Sequence, residues 1–182
     1  MKTPLRLHIG GKTPDPGWKI VDTLPGPHVD YVSSCTDLSV FANESVSEIY
    51  ASHVLEHLGY QAELMCALRE FHRVLEPGAP LRVSVPDLQT LCSLFVDEGL
   101  NTAERFHVMR MMFGGQLDAV DYHKVGLDQE FLAGYLASTG FIDIKRVPTF
   151  GLFEDTSTLV FRDRAISLNL AARKPQSTGK SH

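Results

Sequence analysis

Two histidines and a carboxylate are crowded into five residues of this chain, His53-Val54-Leu55-Glu56-His57. As spacing alone they match H-x-x-E-H, which on a continuous helix would put both imidazoles one turn apart around a zinc ion, as in a zinc hydrolase. The preceding Ile49-Tyr50-Ala51-Ser52 reads instead as a strand ending at or near His53, and a strand cannot supply that helical pair. Zinc chemistry at His53 and His57 is therefore the distant reading, and no metal is expected. Leu55-Glu56-His57 reads more simply as a helix-start network bonded to neighbouring backbone. A general base near pH 7 has two candidates: His123 first, in the polar run Gln116 to Leu127, and His53 second.

The elements that must position these groups alternate between strand and helix. Leu5 to Ile9 is a first strand ending at Gly10-Gly11, and Trp18 to Asp22 a second. Between them Lys12-Thr13-Pro14-Asp15-Pro16-Gly17 is too rich in breakers for a full helix. A parallel crossover normally takes about a dozen or more residues, so the usual helix is expected to shrink to a turn. Val29 to Val32 and Val46 to Ser52 are the third and fourth strands. Gln61 to Leu75 carries Leu64, Ala67, Leu68, Phe71, Val74 and Leu75 at helical spacing and is stopped by Glu76-Pro77-Gly78.

Leu81 to Pro86 is a fifth strand that delivers Asp87, an N-cap for a helix from Leu88 to Glu98, with Gly99 as its C-cap. Further helices are expected over Thr102–Phe113 and Asp128–Thr139, and strands over Phe141–Val147 and Ala165–Ala171. The order fits a Rossmann-like, seven-stranded, mainly parallel α/β sheet with helices on both faces and an antiparallel C-terminal strand pair. Such sheets bind ligands beyond the carboxyl ends of their strands, where strand order reverses. Gly10, Asp22, Asp37, Ser52 and Asp87 all fall at or just past expected strand ends.

The chain has 182 residues, 43% hydrophobic and 21% charged, and a net charge of −5. That length suits one domain over residues 1–174, with residues 88–127 as an insertion covering the substrate and a small, polar, disordered tail over 175–182. The acidic balance argues against nucleic acid as a partner. With no signal-peptide-like or membrane-spanning run, a cytoplasmic protein is expected. Cys35, Cys66 and Cys92 lack C-x-x-C spacing and read as free thiols. Nothing legible encodes the oligomeric state.

A series of short segments resembles class I S-adenosylmethionine-dependent methyltransferases, in particular the small type whose fourth strand ends in a histidine and a Leu-Glu-His triplet. They are Leu7-His8-Ile9-Gly10-Gly11, Val21-Asp22, Asp37-Leu38, Ser52-His53-Val54-Leu55-Glu56-His57, Arg73-Val74-Leu75-Glu76-Pro77-Gly78 and Ser84-Val85-Pro86-Asp87, in the family's order. The resemblance implies S-adenosyl-L-methionine as cofactor, bound along Gly10, Gly11, Asp22, Asp37, Leu38, Ser52 and His53. Asp22 would accept from the ribose hydroxyls, Asp37 from the adenine amino group, and the Leu38 amide would donate to a ring nitrogen. It further implies a small-molecule, lipid or saccharide acceptor, with oxygen preferred because a histidine base suits a hydroxyl. One departure stands out, since Gly10-Gly11 runs into Lys12 and a proline-rich turn where the family has alternating glycines and a helix. A protein that binds the cofactor without turnover is the alternative.

Overall fold

The computed structural model describes residues 4–117 and 120–177. Along the chain the strands and helices are β1 (Arg6–Ile9), β2 (Lys19–Asp22), β3 (Tyr31–Val32), β4 (Glu48–Ser52), α1 (Glu63–Val74), β5 (Pro80–Pro86), α2 (Leu88–Phe95), α3 (Thr102–Phe113), α4 (Gln129–Ser138), β6 (Ile142–Arg146), β7 (Val160–Phe161), β8 (Arg164–Ala165) and β9 (Ser167–Arg173). Seven strands form one sheet in the order β3-β2-β1-β4-β5-β9-β6, while β7 and β8 form a separate hairpin. Strands β1 to β5 run parallel, and β9 inserts antiparallel between β5 and β6. Strand order therefore reverses between β1 and β4, the position at which open α/β sheets bind ligands.

The alternation of side chains across the pleat sorts the sheet into two unlike faces. On one face Leu7, Ile49, Leu81 and Ala172 align in one row and Ile9, Ala51, Val83 and Leu170 in the next. Onto these rows α1 sets Leu64, Ala67, Leu68, Phe71 and Val74, and α4 adds Leu132 and Leu136, closing the main core. Helix α1 ends where Glu76-Pro77 denies it another turn, and α4 begins at Asp128, whose carboxylate accepts from the Phe131 amide.

The opposite face carries His8, Tyr50, Arg82, Ser84 and Asn169, an unusually polar set for a sheet interior. The β1–β2 connection is parallel but contains no helix, as its breakers predict. Above β1 and β4 the cover comes instead from the segment after β6. Phe153 stacks on His8 with ring centroids 4.2 Å apart and on Tyr50 at 5.0 Å, and Trp18 closes the group edge-on to Phe153 at 5.4 Å. Asp155 accepts from the Tyr50 hydroxyl at 2.7 Å, which ties the segment to the sheet. Trp18 is thus a core residue of this aromatic group.

Several boundaries differ from expectation for local reasons. Helix α2 ends at Phe95, before Gly99, where the Asp97 amide turns back onto the nearer Leu94 carbonyl and tightens the last turn. The last strand starts at Ser167 because Ala165 pairs with Val160 in a hairpin whose turn holds Arg162 and Asp163 at positive φ. That hairpin packs Phe161 and Ile166 with Leu91, Leu94, Leu100 and Val108 of the α2–α3 region in a second apolar cluster. The tail expected to be disordered from Pro175 lies outside the described residues after Ser177. Among the described residues no helix is long and apolar enough to cross a membrane.

Candidate functional site

A cleft of about 450 Å³ opens at the carboxyl ends of β1, β2 and β4, within the roughly 300–1,000 Å³ typical of ligand sites. Gly10, Asp22, Ser34, Cys35, His53 and His57 line it, and Val120 to Tyr122 with Lys124 form its far wall. Gly10 has φ +70, a left-handed conformation that costs side-chain-bearing residues about 1–2 kcal/mol. A Cβ there would lie 2.5 Å from a Val54 methyl. The glycine lets the β1 turn pass beneath the cleft while its amide donates to the Val21 carbonyl at 2.8 Å.

Asp22 projects into the cleft from the end of β2. Its Oδ2 accepts from Lys12 Nζ at 2.9 Å and its Oδ1 from the Leu24 amide at 3.0 Å. Burial pushes its carboxyl upward, but the Leu24 amide and Lys12 outweigh this and hold it below the usual carboxylate range. Asp22 is thus an anionic acceptor with lone pairs to spare, suited to a vicinal diol.

Four of the expected cofactor residues are placed otherwise. Leu38 is buried and its amide donates to Glu70 Oε2 at 2.8 Å, so it cannot donate to an adenine nitrogen. Asp37 lies outside the cleft lining, and its Oδ1 accepts from the Ser39 amide at 3.0 Å as a loop cap. Ser34 and Cys35 take the cleft position expected of that pair, on the turn after β3. No residue pattern marked them, because neither type is specific. Burial drives the Cys35 thiol up to about 12, so it is a neutral wall. Ser52 lies on the same polar face of β4 as Tyr50 and does not line the cleft. Gly11 is buried against the His8 ring, where a Cβ would approach Nδ1 to 2.6 Å, so its role is packing.

The opening motif is folded in a way its spacing did not show. His53 sits at φ 55, which ends β4 and starts a short 3-10 turn over Leu55–His57. His53 and His57 are therefore not neighbours on one helix, and the zinc-hydrolase pair is not formed. His53 lines the cleft, but Nδ1 lies 3.2 Å from Glu56 Oε1 and Nε2 lies 3.0 Å from Ser167 Oγ. Ser167 donates its hydroxyl hydrogen to the Thr156 carbonyl, so His53 Nε2 must itself donate to that oxygen. His53 is thereby an orienting bridge between β4 and β9 more than a free base.

His57 and His123, far apart in sequence, meet with ring centroids 4.9 Å apart, edge to face. The Lys124 amide donates to the Glu56 carbonyl at 2.8 Å and Val125 to the same oxygen at 3.3 Å, which clamps the segment bearing His123 onto the 3-10 turn. His57 Nδ1 donates to the Tyr122 carbonyl at 3.1 Å and leaves Nε2 as its lone pair. His123 lies behind it, outside the cleft lining, and burial holds its ring below the usual histidine value against the pull of Glu56. Of the histidines, His53 and His57 line the cleft and His123 does not. Only the chain's return at Tyr122 orients His57.

An open sheet with a cleft at its reversal point, a glycine at the end of β1 and an acid at the end of β2 defines an open α/β domain with a candidate ligand cleft. A methyltransferase domain family model matches residues 20–83. The structure is similar to those of a possible exported protein from Bordetella parapertussis (12% identity, TM-score 0.58, covering 93% of this chain and 61% of that one) and the CurJ carbon methyltransferase (16%, 0.57, 96% and 49%). It is also similar to the Burkholderia thailandensis 1,6-didemethyltoxoflavin-N1-methyltransferase, solved with S-adenosylhomocysteine (17%, 0.58, 95% and 72%). The chain spans less than two thirds of the first two. No curated protein matches it. The chain has the class I S-adenosylmethionine-dependent methyltransferase fold.

Proposed function

We propose that the protein transfers a methyl group from S-adenosylmethionine to a hydroxyl of a small-molecule, lipid or saccharide acceptor. The observation that carries this reading is the placing of Gly10 and Asp22 in one cleft at the sheet's reversal point, with a histidine cluster at its other end. Asp22 would accept from the ribose hydroxyls, Ser34 and Cys35 would flank the base, and the Gly10 turn would admit the methionine end. Methyl transfer needs chiefly in-line alignment and exclusion of water, since the sulfonium already supplies the electrophile. The Val120 to Lys124 wall supports the 88–127 segment as the acceptor's cover.

The acceptor's proton would leave at the Glu56, His57 and His123 cluster, where His57 faces the cleft and His123 sets the far side. A fold that binds the cofactor without turnover is the second reading, favoured by one observation: Lys12 already occupies one oxygen of Asp22. Calorimetry with S-adenosylmethionine and S-adenosylhomocysteine tests both. Absence of binding at millimolar ligand overturns the cofactor reading, and binding without turnover on a broad panel of hydroxyl and amine acceptors favours the second.

A further inference from the structure

Glu56 is the most exceptional ionisable group in the molecule. Its residue is 2% exposed and both carboxylate oxygens are buried without a hydrogen-bond partner. A buried carboxylate left so is costly unless a cation or protonated partner meets it. Three imidazoles surround it. His53 Nδ1 approaches Oε1 to 3.2 Å, His123 Nε2 stands 4.0 Å away, and a ligand nitrogen of His57 completes a group whose donor atoms all lie within 4.8 Å of one another.

We propose that Glu56, His57 and His123 bind a divalent first-row transition-metal ion, zinc or iron in type, at the acceptor end of the cleft. This deepens the methyltransferase reading and rests on it for the ion's purpose, though not for its binding. Two imidazoles and one carboxylate are the donor set of three-coordinate protein sites that keep a position open for water or substrate. Metal-binding histidines usually fix the free nitrogen by donating the other N–H to a backbone carbonyl. His57 does so to Tyr122.

Bringing donors from 4.0–4.8 Å apart to the roughly 3.4 Å edge of a tetrahedron with bonds of about 2.0–2.1 Å takes shifts near 1 Å. The clamp of Lys124 and Val125 on the Glu56 carbonyl already holds both halves of the site in register. Of the three ligands His57 is the one that lines the cleft, so a position left open on its side would meet the acceptor. With their free nitrogens on the ion, His57 and His123 would not take the acceptor's proton themselves; a hydroxyl bound to the ion would release it to solvent more readily. Its oxygen would then attack the methyl carbon while the carbon–sulfur bond breaks and its electron pair stays on sulfur.

The test uses the whole chain, stripped with a chelator and titrated with Co²⁺ and then Zn²⁺. Stoichiometric uptake is expected, with a visible Co²⁺ spectrum of low coordination number that zinc displaces. In the wild-type protein the His57 and His123 Nε2 resonances should shift on zinc addition, a readout that needs no variant. His57→Ala and His123→Ala should each weaken binding beyond the roughly 10–100-fold that loss of an outer-sphere partner costs, and His53→Asn within it. Uptake unchanged in both alanine variants, or none in the wild type, overturns the proposal. S-adenosylhomocysteine binding is measured on the same samples. Cofactor binding without metal uptake rejects the ion alone, and metal uptake without cofactor binding rejects the methyltransferase reading alone.

Discussion

His8 offers a measurement of how the second face of the sheet is closed. Its ring is 5% exposed, packed against Phe153 and edge-on to Tyr50, and its Nδ1 has no hydrogen-bond partner. Burial lowers its pKa from 6.5 to about 4, against the smaller opposing pull of Asp155 and Asp15. The folded protein thus resists protonation that the unfolded chain accepts. The stability His8 contributes as a neutral ring is complete above about pH 6.5 and is lost as pH falls towards 4.

At pH 5 the difference amounts to about 2 kcal/mol, approaching about 3 kcal/mol at lower pH, from roughly 1.36 kcal/mol per pKa unit. His8→Leu removes the titration while keeping an apolar side chain. Urea unfolding of both proteins between pH 7.5 and 5 should show the wild type losing about 2 kcal/mol more than the variant. Loss of ring stacking offsets the two curves, but only their slopes carry the test. Parallel curves over that range would refute a neutral, buried His8 and with it the aromatic closure in place of the first helix.

Three further outcomes are expected. Asp22→Asn should weaken S-adenosylhomocysteine binding about tenfold or more in calorimetry, since hydrogen bonds to a charged acceptor contribute about 1.5–3 kcal/mol; unchanged affinity would remove Asp22 from the ribose site. Gly10→Ala should lower stability by at least about 1–2 kcal/mol from its left-handed backbone, and more from the contact with Val54, as read by thermal unfolding. Tyr50→Phe takes hydrogen bonds from Asp155 and Ser157, so a loss of about 1–3 kcal/mol is expected, and a neutral result would show that the Tyr50 hydroxyl does not help to hold the 147–159 segment.

The sequence alone determined most of the sheet. Alternation in Leu7-His8-Ile9 and Ile49-Tyr50-Ala51 and the helical spacing of Leu64 to Val74 are local signals, and each describes the element the chain forms. Gly10 and Asp22 were legible as residues of the cleft for the same reason, because a strand's end is a local property and the cleft's position follows from strand order. Asp37, Leu38 and Ser52 also stand near strand ends. Leu38 is kept from the cleft by a partner remote in sequence, Glu70 on its amide, Asp37 by its own loop, where it caps the Ser39 amide, and Ser52 by the face of β4 on which it lies.

Only tertiary structure could decide the rest. The missing first helix was visible in the breakers after Gly11, but Phe153 as its replacement was not, since nothing local to Phe153 points to His8. The H-x-x-E-H spacing suggested that His53 and His57 act together. The positive φ at His53 turned its ring towards Ser167, and the clamp of Lys124 and Val125 on Glu56 brought His123 to His57 instead. A motif states which groups are close along the chain, whereas chemistry depends on which are close in space, and here a 65-residue return sets that distance.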